Sequence, residues 1–470
     1  MTTTPRAPSL SLGRWQRTLF SVGVVFALTL VGFGCRGGQQ VVESLPQIQL
    51  EYWTVFDSPD VYASVIQNYR TQHPNVHIEV KKFTYEEYRT RLLEAWARGE
   101  GPDLFSLPNA AIGKYRDLIT PMPSTMKLPT LVVSGGCSKD VRVVEKPKET
   151  IRPELLDQTF LPVVADDVLF DNAIYGLPLA SDTLALYYNK DLLNAAKIIA
   201  PPQTWQELTD MVDATKGGLT KEEQGTILQS GIALGTAKNI ARSVDLLSLL
   251  MMQSGTQMVD TSGTAVAFDR SSPNDKEFIP GASALTFYTS FANPARVTYS
   301  WNDSQPDAAE SFAAGKTAFF IGYSYQADIL RRANPLLNFG IAPVPQISTA
   351  GPQIDYANYW IETVAARTEH PDEAWDFLLY ETDAQQVKSY LEATKKPTAL
   401  KGLLTSQRDD LDLQPFVDQL MIAKSWYHGY DDAAMETIMQ QLITSVNSGT
   451  EVNAALSLAA RQVQETYNKP

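Results

Sequence analysis

The sequence predicts an α/β protein of more than one domain, on three observations. Residues 47–107 alternate strand-like and helix-like apolar periods in the order βαβαβ. Two capping boxes, Thr84 with Glu87 and Thr204 with Glu207, mark helix starts. At 470 residues the chain is too long for one ordinary core, and two or three domain-sized units are expected.

The elements follow in order. Ile48, Leu50 and Tyr52 alternate as a strand, closing on Trp53-Thr54. Ser58-Pro59 reads as an N-cap with Pro at the first helical position, and Val61, Val65, Ile66 and Tyr69 share one face of that helix. His73-Pro74-Asn75 stops it, and Val76, Ile78 and Val80 form a second strand. Thr84 opens a helix with Tyr85, Tyr88, Leu92 and Trp96 inward and Gly99 at its end. Asp103 to Leu107 is a third strand, joined by right-handed crossovers. Residues 122–163, rich in Pro and Lys, break the rhythm and read as an insertion. Strands are expected again at Leu184–Tyr188, Thr317–Ile321 and Gly340–Pro345, and helices at Leu246–Met252 and from Pro371. Two final helices are separated by Ser448-Gly449-Thr450.

The first 35 residues are a separate object. Arg6, Arg14 and Arg17 precede the apolar run Leu19–Phe33, which ends in Gly34-Cys35. Cations, a short apolar segment and then small residues are the order a secretion signal needs. The run is short for a membrane-spanning helix, which takes roughly 20 residues. It resembles a bacterial lipoprotein signal, which implies that residues 1–34 are removed and Cys35 is lipidated. The position three before Cys35, usually a large aliphatic residue, is Gly32 here. An uncleaved anchor helix and an ordinary cleaved signal are the alternatives. Residues 35–46 are polar and suit a tether to the membrane.

A net charge of −14 argues against binding a phosphate backbone, so no nucleic-acid partner is expected. Only two cysteines are present. With Cys35 lipidated, Cys137 has no partner, and the fold is not stapled by disulfides. His73 and His77 are spaced i, i+4, but Pro74 separates them. They read as turn and strand surface rather than a metal site.

In series, these landmarks resemble the family 1 extracellular solute-binding proteins of ABC importers, the sugar-type group. The resemblance rests on Leu50-Glu-Tyr-Trp-Thr54, Gln67 to Val76, Arg98-Gly-Glu-Gly-Pro-Asp103 and Tyr175-Gly-Leu-Pro178. It continues through Leu186 to Leu192, Pro202-Gln-Thr-Trp205, Phe312 to Lys316, Phe339 to Pro343 and His370 to Trp375. It implies a two-lobed periplasmic-binding-protein (Venus-flytrap) fold with hinge crossings near Leu184–Tyr188, Gly340–Pro345 and Lys396–Leu411. The first lobe would take 47–185 and 346–400, with 122–163 inserted, and the second 186–345 and 401–470. It further implies a monomer that needs no cofactor, tethered on the outer side of the cell membrane, passing a small solute, a carbohydrate, to ABC permease subunits. A ligand-sensing subunit of a receptor shares the fold and differs only in its partner.

Sugars present C–H faces and rings of hydroxyls, so a site wants aromatic faces together with carboxylates or amides. Polar and aromatic residues at strand ends are the candidates: Trp53 and Asp57 after the first strand, Asn109 after the third, and Trp301. By resemblance Asp182 stands where the family places a ligand contact, Tyr323 and Tyr325 at its glycine-rich turn, and Tyr359 and Trp360 at its second aromatic turn. Trp426 is a weaker candidate. Trp96, Trp205 and Trp375 are assigned to helix packing. No phosphate loop, G-x-S-x-G or H-E-x-x-H is present, and no His lies near Cys137 to activate it. The enzyme reading left is an extracytoplasmic carbohydrate-active enzyme with paired carboxylates.

Overall fold

Two hydrophobic cores divide the chain. The computed structural model describes residues 45–134, 140–216 and 218–469. Cys35, its signal and Cys137 lie outside them.

The first core forms on a sheet ordered Trp360–Val364, Leu104–Pro108, Ile48–Val55, Val76–Phe83. The last three strands run parallel, and Trp360–Val364 joins antiparallel at the edge. The Thr84 hydroxyl accepts from the Glu87 amide at 3.4 Å, and Gly99 ends the Tyr85–Arg98 helix in a left-handed conformation. This is the expected βαβαβ unit with two differences in helical phase. Tyr62, not Val61, is buried on the Pro59–Gln72 helix, and Tyr85 points outward at 46% exposure.

The second core surrounds a sheet ordered Lys221–Glu223, Thr226–Ile232, Thr317–Gly322, Ala185–Asn189, Phe339–Pro343. Thr317–Gly322 is buried at every position, as its unbroken apolar sequence requires. The Ser243–Gln253, Pro280–Ser290, Asp432–Asn447 and Val452–Glu465 helices complete this lobe.

A third sheet joins the lobes. Asp182–Thr183 pairs antiparallel with Asp355–Asn358, which pairs parallel with Ala423–Lys424. Leu179 belongs to the first core and Leu184 to the second; Tyr356 to the second and Ala357 to the first; Ala423 to the first and Trp426 to the second. The chain therefore crosses three times, at places that differ from those expected. Ala185–Asn189 lies inside the second sheet rather than crossing. Phe339–Pro343 is that sheet's edge, paired with Ala185–Asn189. Leu413, Val417 and Leu420, expected in the second lobe, pack in the first core.

The insertion also divides. Thr125–Ser134 and Asp140–Glu149 form a hairpin, held where the Lys148 ammonium meets Asp376 at 2.6 Å. Leu156, Phe160, Leu161 and Val163, by contrast, are core residues.

A candidate ligand cleft between the lobes

Three rings form an open aromatic face on the first lobe. The chain leaves the first strand through Phe56, whose backbone is left-handed (φ 68°). That conformation costs a bulky residue about 1–2 kcal/mol, and here it holds the ring outward, 56% exposed. Phe56 stacks along Tyr85 (centroids 6.1 Å, planes 14° apart) and meets Trp360 edge-on at 5.5 Å. Tyr85 is left outside by the helical phase that buries Tyr88 and Leu92. Trp360 opens the edge strand and rests on Tyr88 at 6.1 Å.

The second lobe supplies a polar wall. The Arg242 guanidinium lies 5.3 Å over the Tyr323 ring and pairs with Asp245 at 2.7 Å. Tyr323 donates its hydroxyl to Asp245 at 2.7 Å, and the Asn358 amide reaches the same oxygen at 3.4 Å. Tyr325, half exposed, stacks on Tyr323 (6.3 Å, 19°). The two walls meet where Arg89 of the first lobe pairs with Asp432 of the second at 3.1 Å. Tyr85, Arg89, Trp360 and Asp432 line one crevice there. A larger concavity, about 710 Å³, is lined by Pro59, Ile66, Arg70 and Val80. It lies wholly on the first lobe and is not the cleft.

Close backbone approach fixes the same rim. A Cβ on Gly113 would stand 2.4 Å from the His428 carbonyl oxygen and 2.5 Å from that of Gly429. Gly113→Ala is expected to cost about 1–3 kcal/mol of stability by overpacking this junction, measured by urea unfolding.

The sequence candidates distribute unevenly. Trp360, Tyr323 and Tyr325 fall on the cleft walls, although the Tyr323 hydroxyl is already bound to Asp245. Asp57 follows Phe56, but its carboxylate is held by Lys396 at 2.6 Å and by the Tyr390 hydroxyl at 2.7 Å. Asn109 and Tyr359 are buried and both donate to Asp167, at 3.0 and 2.6 Å. Asp167 also accepts from Ser425 and meets His428 at 2.8 Å, which ties the first lobe to the third crossing.

Asp182 lies in the hinge sheet. Its carboxylate accepts from the Ser324 amide (2.9 Å), the Ser324 hydroxyl (2.6 Å) and the Thr183 amide (2.9 Å). Burial pushes it up to about 7 against the lowering effect of these donors. It fastens the hinge to the second lobe.

Three tryptophans are corrected to core roles. Trp53 is buried against Phe83 (4.5 Å) with its N–H donated to Glu51. Trp301 is fully buried and donates to Asn239 at 3.1 Å. Trp426 is buried and donates to Ser248 at 3.1 Å.

Sequence reasoning missed Phe56, Tyr85, Arg89, Arg242, Asp245 and Asp432. Phe56 was within reach of the strand-end rule that selected Asp57. Arg242 carries no local signal, because only the tertiary fold brings it to Tyr323.

A hinged pair of α/β lobes with an aromatic face opposite a polar wall defines a two-lobed solute-binding protein. The chain belongs to the bacterial extracellular solute-binding protein family, whose profile matches residues 64–411. Members of that family are binding proteins that work on the extracytoplasmic side. A probable ABC transporter-binding protein of Deinococcus radiodurans is 26% identical over 55% of this chain and 59% of its own length. The chain thus spans about three-fifths of that relative. The galactooligosaccharide-binding protein of Bacillus subtilis is 20% identical over 82% of this chain and 81% of its own. Among solved structures, the sugar-binding protein of Xanthomonas citri has a TM-score of 0.69 at 19% identity, covering 89% of this chain and 97% of that one. The fold is shared.

Proposed function

We propose that the chain captures a sugar or oligosaccharide between its lobes and delivers it to the permease of an ABC importer. The observation that carries this reading is the face of Phe56, Tyr85 and Trp360 set opposite the wall of Arg242, Tyr323, Tyr325 and Asp245. A pyranose buries its C–H face on such rings while its hydroxyls meet fixed donors and acceptors. Family membership and the sugar-binding relatives support it. Closure about the hinge sheet follows from the ligand's greater affinity for the closed arrangement.

The side chains here bind and do not transform. The guanidinium and carboxylate groups of Arg242, Asp245, Arg89 and Asp432 are spent on one another, which suits holding a solute rather than passing protons to it. A lipid on Cys35 belongs to the same proposal, since it would keep the loaded protein near its permease.

Screening the purified protein by thermal shift against mono- and oligosaccharides, polyols and peptides tests the reading. A saccharide should raise the melting temperature by mass action. Shifts from peptides alone would overturn it. Cys35→Ala should release the protein from the membrane fraction.

A further inference from the structure

One carboxylate on the second wall has no task yet. Glu436 sits on the Asp432–Asn447 helix, one turn after Asp432, and i, i+4 positions share a helix face. Asp432 already touches the first lobe through Arg89, so Glu436 faces the same cleft one turn further along. It is half-buried. Among the described residues its carboxylate makes no hydrogen bond or ion pair, whereas its neighbours are paired, Arg242 with Asp245 and Arg89 with Asp432.

The surroundings agree with this placement. Burial raises the Tyr85 hydroxyl, and the charge that raises it most is that of Glu436, acting across the cleft from the other lobe. Glu436 itself is raised by burial, lowered by Arg242 and Arg89, and raised by Asp245 and Asp432. The buried Tyr356 also feels its charge. Arg242 and Arg89 are thus matched by Asp245 and Asp432, and among the described residues the carboxylate of Glu436 beside them has no ion-pair partner.

We infer that Glu436 is the specificity-determining residue of the cleft: it accepts a hydroxyl pair of the sugar lying on Tyr85 and makes the site reject anionic saccharides. The inference rests on the carbohydrate reading above. A carboxylate accepts two hydroxyl protons at once. An incoming uronate or sugar phosphate would place its charge beside Glu436, and the guanidinium groups of Arg242 and Arg89 on these walls are already paired with carboxylates.

A glycan array carrying neutral, uronate-containing and phosphorylated saccharides is probed with wild type, Glu436→Gln and Glu436→Ala. Wild type should retain neutral saccharides and none of the anionic ones. Glu436→Ala should weaken the neutral hit, remeasured by calorimetry, about tenfold or more. Glu436→Gln should lose part of that affinity and admit uronates. Unliganded melting temperatures should match wild type, since Glu436 holds no structural partner.

Wild-type retention of uronates or phosphates, or unchanged affinity in Glu436→Ala, overturns the assignment of Glu436 and leaves the carbohydrate reading standing. Retention of no glycan at all overturns both.

Discussion

Replacing Trp360 by Ala is expected to lower affinity for the bound sugar about a hundredfold, with little change in the melting temperature of the unliganded protein. Trp360 joins Phe56 and Tyr85 into one surface, with centroid separations of 5.5 and 6.3 Å. Its loss removes a wall and frees its neighbours. Central aromatic anchors of binding sites are worth about 2–3 kcal/mol on truncation, and 1.4 kcal/mol is roughly tenfold. Only partial burial of Trp360 keeps the stability cost small. Trp301→Ala should behave oppositely. Trp301 is fully buried in the second core, so about 3–5 kcal/mol of stability should be lost. Calorimetric titration with the best sugar of the screen, together with thermal unfolding, checks both. Unchanged affinity in Trp360→Ala would remove the aromatic face from the site.

The second large effect is on stability against pH. Glu362 is 5% exposed and accepts from the Ser106 hydroxyl at 2.5 Å; burial pushes it up to about 7. Asp182 is likewise raised to about 7, although it keeps an exposed edge, so Glu362 carries the larger share. Burial also raises Glu381 and Asp355 well above the carboxylate range. Each of these two has one buried oxygen without a hydrogen-bond partner among the described residues.

A carboxyl raised in the folded state contributes stability that is complete below its unfolded value, near pH 4. That contribution is lost as pH rises through the folded value. For Glu362 the loss spans about pH 4.5 to 7 and amounts to about 3 kcal/mol. Glu381 and Asp355, raised by burial, add to the decline in the same direction. The melting temperature should therefore fall by several degrees between pH 5 and pH 8. Glu362→Gln should flatten part of the fall, because its amide has no proton to lose. A melting temperature that rises over this interval would contradict the placement of these groups.

Much of the fold was legible because its signals are local. The Thr84–Glu87 and Thr204–Glu207 boxes start helices where they stand, and the apolar run Thr317–Ile321 is the buried strand it looks like. The first crossing lies a few residues before the expected one, and the other two lie further along the chain than expected; for the first the physical reason is plain. Leu184 to Tyr188 is equally apolar as a crossing and as an interior strand, and only its pairing with both Thr317–Gly322 and Phe339–Pro343 decides between them. The site was less legible. Tyr85 and Tyr88 are the same residue type, and one fraction of a helical turn puts one outside and the other in the core. Trp301 and Trp360 are alike in sequence, yet the first is enclosed by its lobe and the second lies on an edge strand. Arg242 and Asp245 become neighbours of Tyr323 only when the second lobe has folded, because a long stretch of chain separates them.

The three crossings also set the order in which the molecule can assemble. Neither core is built from one stretch of chain. The first waits for Trp360–Val364 and for residues up to Ala423. The second waits for Met435, Leu442, Leu456 and Val463, near the very end. Bringing such distant segments together is slow, so a chain emerging from its N-terminus stays incomplete until its last helices appear.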